Sequence, residues 1–136
     1  MKARDRGLSL AEIMLAFGLL SVAFLSLIGV ATGGLDLMAR GNELTTATSL
    51  GHELLERVRA DSGGIPSSAA FLGTAPTPTV DGFPPSPYPI TLVKGRSYLL
   101  DVTTEPVPGT ERLISIQVVV RWGERGQVKL ETYVLP

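Results

Sequence analysis

The sequence contains no cysteine, one histidine and one tryptophan among its 136 residues. Without cysteine there is no disulfide, no thiolate metal site and no cysteine nucleophile. Reducing and oxidising compartments both stay open. The lone histidine, His52, stands beside Glu53 and Glu56 in a helical pattern, most simply a solvated face with an i,i+4 pair. No P-loop, GxGxxG, nucleophile elbow or HExxH occurs. No enzymatic activity, catalytic residue, metal ligand or cofactor is therefore expected. Positive charge is also in short supply. The formal net charge is −1, and outside residues 1–7 twelve acidic side chains face nine basic ones. Binding to phosphate backbones needs an excess of basic charge, so nucleic acid is not an expected partner.

The most informative absence is local. Residues 13–35 carry no charged side chain over 23 positions. As a helix they span about 34 Å, enough for a hydrocarbon core of roughly 30 Å. A chain of this size has little mass with which to bury such a helix on all sides, so membrane residence is expected. Lys2, Arg4 and Arg6 precede the run. The positive-inside rule keeps them cytoplasmic and sends the body of the chain outside. A cleaved secretory signal is the competing reading. Its apolar region is usually shorter, and the small-residue cleavage candidates near Gly29-Val30-Ala31 and Ala31-Thr32-Gly33 are poor.

The helical pattern continues beyond the run. Leu37, Gly41, Leu44, Thr48, Gly51, Leu55 and Val58 recur at three- and four-residue steps. Asp36, Arg40, Glu43, His52, Glu53, Glu56 and Arg57 fall on the other faces. One helix from about residue 8 to residue 60, on the order of 80 Å long, is predicted. Asp61-Ser62-Gly63-Gly64-Ile65-Pro66 ends it. Residues 61–89 hold seven of the ten prolines and read as loop.

Strand signals follow in residues 90–136. Residues 90–93 turn at Lys94-Gly95 into 96–104. Residues 113–122 place Ile114, Ile116, Val118, Val120 and Trp122 on one face. Residues 127–135 do the same with Val128, Leu130, Thr132 and Val134. Gly123-Glu124-Arg125-Gly126 reads as a four-residue hairpin connection, and Pro106-Val107-Pro108-Gly109 as a turn. The predicted fold class is α+β. One long N-terminal helix, its first half membrane-spanning, packs on a small antiparallel sheet of three to four strands. Glycines 41 and 51 on the helical stripe would let the sheet approach closely. The expected segments are 1–7 leader, 8–35 apolar helix, 36–60 amphipathic helix, 61–89 loop and 90–136 sheet.

The segment before the apolar run carries the functional signal. Ser9-x-x-Glu12 is a capping box, in which Ser9 and Glu12 satisfy each other's backbone N–H groups. That accounts for neither the basic leader, nor Gly7, nor a carboxylate at the mouth of a membrane-length helix. Arg6-Gly7-Leu8-Ser9-Leu10-Ala11-Glu12, with the uncharged run, resembles the prepilin signature of type IV pilin-like proteins. Leu8 stands where phenylalanine is commonest and Ala11 where a β-branched residue is usual.

The resemblance implies cleavage between Gly7 and Leu8 and N-methylation of Leu8, both by a prepilin peptidase. It also implies assembly through Glu12 into a type IV pilus or type II secretion pseudopilus. The partners implied are that peptidase/methyltransferase, other pilins or pseudopilins, an inner-membrane assembly platform, and membrane lipid before assembly. Gly29, where major pilins often have proline, begins a GxxxG pattern with Gly33 that suits close helix packing. Val118-Val119-Val120-Arg121-Trp122, a glycine-bearing turn and a closing strand resemble the last hairpin of minor pilins and minor pseudopilins of the PilV and GspI type. The alternatives are a single-pass membrane protein with a small periplasmic binding domain, and a tip adhesin or DNA-uptake pilin.

Overall fold

The computed structural model describes residues 9–61, 64–110 and 112–135. Gly7, Leu8 and the basic leader lie outside the described residues. The chain is α+β, with one helix, α1 (Leu10–Ala60), followed by five strands. It divides into two compact units at Arg40/Gly41.

In the first unit, residues 10–40 are a continuous stretch of α1. The hydroxyls of Ser21, Ser26 and Thr32 donate to the carbonyls of Phe17, Val22 and Ile28 at 2.8, 2.8 and 3.0 Å. Such back-bonding satisfies polar side chains without help from solvent. Asp36 and Arg40, one turn apart and both exposed, form an ion pair at 2.8 Å.

The second unit, Gly41–Pro136, holds the remaining turns of α1 and the whole sheet. Here α1 buries Ala47, Leu50, Gly51, Leu54, Leu55 and Val58, at steps of three and one. This stripe corrects the one expected from the sequence. Leu37, Gly41 and Leu44 are exposed, and Thr48 is only half-buried. Within the second unit the sheet covers the turns from residue 47 to residue 58 and leaves Gly41 and Leu44 open. Asp61 N–H closes the helix on Arg57 O at 3.0 Å, and Gly64 follows at φ +85°.

The strands are β1 (Ala69–Phe71), β2 (Ile90–Val93), β3 (Arg96–Pro106), β4 (Ile114–Trp122) and β5 (Gly126–Val134), all antiparallel. β1 and β2 lie in tandem along one edge of β3, and β4 and β5 follow on its other side. Lys94 and Gly95 both have positive φ, 50° and 78°, as a two-residue primed hairpin requires. Tyr98, Leu100, Val102 and Thr104 of β3 join Ile114, Ile116, Val118, Val120 and Trp122 of β4 on the buried face. Thr132 and Val134 complete it from β5. A Cβ on Gly51 would run into Leu130, so this glycine sets how closely helix and sheet approach. Gly41 has open space and plays no such part.

Two details depart from the expected layout. Residues 61–89 contain β1, which pairs Ala69–Phe71 with Val102–Thr104 of β3 and buries Phe71 against Phe83 and Tyr88, with ring centroids 5.4 and 6.2 Å away. The β4–β5 connection has three residues, because Gly126 already pairs with Trp122. The gap between β1 and β2 is filled by Gly73, where a Cβ would lie 2.8 Å from the Leu100 and Pro89 carbonyl oxygens. Gly73 N–H donates to Asp101 Oδ1 at 2.8 Å, and Asp101 Oδ2 pairs with Arg121. This carboxylate clips the proline-rich segment to the sheet. Asp101→Ala is expected to cost roughly 2 kcal/mol, less than a fully buried pair because the Arg121 side chain is 40 % exposed. Limited proteolysis should then cut within residues 72–89. An unchanged digestion pattern would show that the clip does not hold the segment.

Candidate functional site

The first turn of α1 is built by Ser9. Its Oγ accepts from Glu12 N–H at 3.2 Å, and its carbonyl accepts from the N–H groups of Glu12 and Ile13 at 3.0 and 3.2 Å. Ser9 is therefore the N-cap, and a carboxylate in the first turn suits the positive end of the helix. The reciprocal half of the capping box does not form among the described residues. The Glu12 carboxylate is exposed and accepts no hydrogen bond there.

Beyond Glu12 the helix is apolar on every side. Met14, Leu15, Phe17, Leu19, Leu25, Leu27 and Val30 are exposed, as are their neighbours on the remaining faces. A helix that is hydrophobic all round belongs in a core or a membrane. This one is long and apolar enough to cross a membrane, and none of its most apolar 18 residues is buried within the chain. Gly29 and Gly33 lie one turn apart with no atom near their open Cβ positions, leaving a shallow notch on that surface. The helix runs unbroken through Gly29.

Of the residues the sequence singles out, Glu12, Gly29 and Gly33 thus sit on one exposed apolar helix. Gly7 and Leu8 are outside the described residues. His52 is exposed, while Glu53 and Glu56 pair with Arg57 and Arg59. Among the described residues no three carboxylate or imidazole groups converge on one point.

Two acidic residues have roles that the sequence reading does not assign. Asp101 is one. Glu43 is the other: it lies on the sheet side of α1, not on a solvated face. It accepts from Trp122 Nε1–H at 3.0 Å through one carboxylate oxygen and pairs with Arg96 through the other. The signal was its position four residues before Ala47 on the buried stripe. On the opposite face of the sheet, Glu131 accepts from Ser115 Oγ–H at 2.8 Å and Tyr133 O–H at 3.0 Å. These two bonds, that from Ser115 foremost, hold the Glu131 carboxyl below the usual range, and the same contact raises the Tyr133 hydroxyl.

Comparison with protein-family models, with curated proteins and with solved structures gives no match. What the chain does present is a long N-terminal helix, apolar in its first part, whose last turns pack on an antiparallel sheet. The architecture is pilin-like. A pilin-like helix of this kind offers two chemistries: burial of apolar surface, and one carboxylate at its N-terminal end.

Proposed function

We propose that this pilin-like chain is a minor pilin or minor pseudopilin. A prepilin peptidase cuts it after Gly7 and methylates Leu8. The product enters, or primes, a type IV pilus or type II secretion pseudopilus. Before assembly the apolar helix resides in the inner membrane, with the sheet domain in the periplasm. Its partners are the peptidase, neighbouring pilins or pseudopilins, and the inner-membrane assembly platform.

One observation carries this reading. From Leu10 to Leu35 the only formal charge is Glu12, and its carboxylate has no partner among the described residues. The hydroxyls of Ser21, Ser26 and Thr32 in the same stretch are satisfied within the helix. A lone carboxylate against lipid is costly, by a few kcal/mol at depth and less near the interface. Trimming after Gly7 creates an ammonium at Leu8, only four residues from Glu12. The Leu8 amine of a neighbouring subunit would neutralise that carboxylate and fix the axial offset between two helices. The family's last-hairpin pattern in residues 113–135 supports the narrower placement among minor subunits.

Intact-mass analysis of the protein purified from membranes tests the proposal. A chain beginning at methylated Leu8 is expected. A chain beginning at Met1 would instead favour a single-pass membrane protein with a small outer binding domain.

A further inference from the structure

A cavity of about 140 Å³ opens between α1 and the turn from β2 to β3, wholly within the second unit. Asn42 and Glu43 line it from the helix, Val93, Lys94 and Arg96 from the turn, and Tyr98 from the sheet.

Its hydrogen-bond donors are uncommitted. Tyr98 is only 3 % exposed, yet its hydroxyl has no partner among the described residues. Nor is that hydroxyl sealed off, because among the described residues Arg121 Nε alone is a fully buried side-chain atom without a partner. The accessible remainder of Tyr98 therefore opens into the cavity it lines. Lys94 pairs with no carboxylate among the described residues. Arg96 gives Nη1 to Glu43 and keeps its other N–H groups. Thr46 Oγ1–H, also in the wall, is committed to the Asn42 carbonyl at 2.9 Å, whereas the Asn42 carboxamide has no partner there.

The strongest acceptor is already occupied. Glu43 takes Arg96 on one carboxylate oxygen and Trp122 Nε1–H on the other. Two cations thus face one carboxylate, and the balance of the wall is a single positive charge. Donors without acceptors and one surplus positive charge select a monoanion.

We propose that this cavity binds the carboxylate of a glutamate side chain on a partner polypeptide. The inference goes beyond the filament reading and does not depend on it. Size and polarity choose the ligand. A space of this volume holds about as much as a benzene ring, which the stem and carboxylate of glutamate fill without the backbone. Val93 is half-buried and packed on the core, so with the Tyr98 ring it offers an apolar wall to the stem. The Lys94 ammonium and the Tyr98 hydroxyl are left for the carboxylate. A phosphomonoester brings more negative charge than the wall balances. A phosphodiester enters as the middle of a chain, with a substituent on each side, and the cavity takes an end group.

Trp122 is the only tryptophan and reports on this site. Its indole is bonded to Glu43 and lies 6.1 Å from the Tyr98 ring, centroid to centroid. The full chain in non-ionic detergent is titrated at constant ionic strength with a glycine–glutamate–glycine tripeptide blocked at both ends. A saturable change in Trp122 emission is expected, with a Kd of roughly 0.1–10 mM for so small a contact. The matching glutamine tripeptide, which lacks only the charge, should give none. Lys94→Gln and Tyr98→Phe should each weaken binding about tenfold, while Lys129→Gln, which removes another exposed charge, leaves it unchanged. No saturation, either in emission or in saturation-transfer NMR of the peptide, overturns the inference. So do equal responses to the two tripeptides, or equal losses from Lys94→Gln and Lys129→Gln. Triglycine blocked only at its amino end presents a chain-terminal carboxylate instead, and tighter binding of that peptide would overturn the side chain as the source. Dimethyl phosphate displacing the glutamate tripeptide better than propionate does would assign the cavity to a phosphodiester. None of these outcomes bears on processing after Gly7.

Discussion

Glu12→Gln is expected to yield a chain that is cut after Gly7 and stays in the membrane as free subunit, with incorporation into filaments reduced about 30- to 100-fold. Glutamine keeps the size and helix preference of glutamate but removes the charge. The effect has two parts with the same sign. In lipid the unpaired carboxylate raises the free energy of the lone subunit, so replacing it makes the membrane a better place to stay. In the filament the pairing with the Leu8 ammonium is lost, so the assembled state becomes worse. A differential of roughly 2–2.7 kcal/mol gives the stated factor. The N-cap itself is unaffected, because Ser9 Oγ bonds the backbone N–H of residue 12 rather than its side chain. Ser9→Ala therefore separates the two roles of this turn. It should cost about 1 kcal/mol of local helix stability and leave incorporation largely intact. Normal filament yield with Glu12→Gln would reduce Glu12 to a first-turn charge and remove the main support for the assembly reading. Quantitative immunoblotting of sheared filaments against membranes gives the ratio.

Legibility along the chain followed how much of each signal was local. The uncharged run of 13–35 and the helix end at Ala60 were readable because composition, glycine and proline act within a few residues. The buried face of β4 was readable because five apolar residues alternate without interruption. The phase of the helical stripe was not. Leu44 is as apolar as Leu50 and Leu54, and only the sheet's extent decides which are covered. Glu43 was misplaced for a related reason: charge suggests solvent, yet the indole N–H of Trp122 and the guanidinium of Arg96 both need an acceptor there. β1 was missed because three residues carry no usable period, and its pairing partner lies about thirty residues on. At the candidate site, Glu12 stood out through the resemblance to the prepilin signature, and the two glycines through their GxxxG spacing. Asp101 did not, since its value comes from Gly73 and Arg121, both remote in sequence.

Trp122 and Gly126 are expected to be strongly coupled, with Trp122→Ala costing about 3–5 kcal/mol and Gly126→Ala about 1–3 kcal/mol, but with the second cost vanishing in the presence of the first. The two residues face each other across the end of the β4–β5 hairpin. A Cβ on Gly126 would overlap the indole ring, so the ring lies flat over the glycine. The other side of the indole is closed by Tyr98, with centroids 6.1 Å apart, and its Nε1–H is tied to Glu43. The ring therefore cannot swing aside without losing a half-buried hydrogen bond and an aromatic contact. Removing it opens the space that an alanine at position 126 would fill, and alanine in a strand is otherwise preferred to glycine. Trp122→Phe divides the tryptophan's own contribution: it keeps most of the packing and should cost about 1 kcal/mol for the Glu43 bond, since Arg96 still pairs with that carboxylate. Urea titration of the detergent-solubilised full chain, read by protease resistance of residues 41–136, measures all four variants without needing tryptophan fluorescence. Additive costs in the double variant would mean that the indole does not rest on Gly126, and that the hairpin closes on something other than this pair.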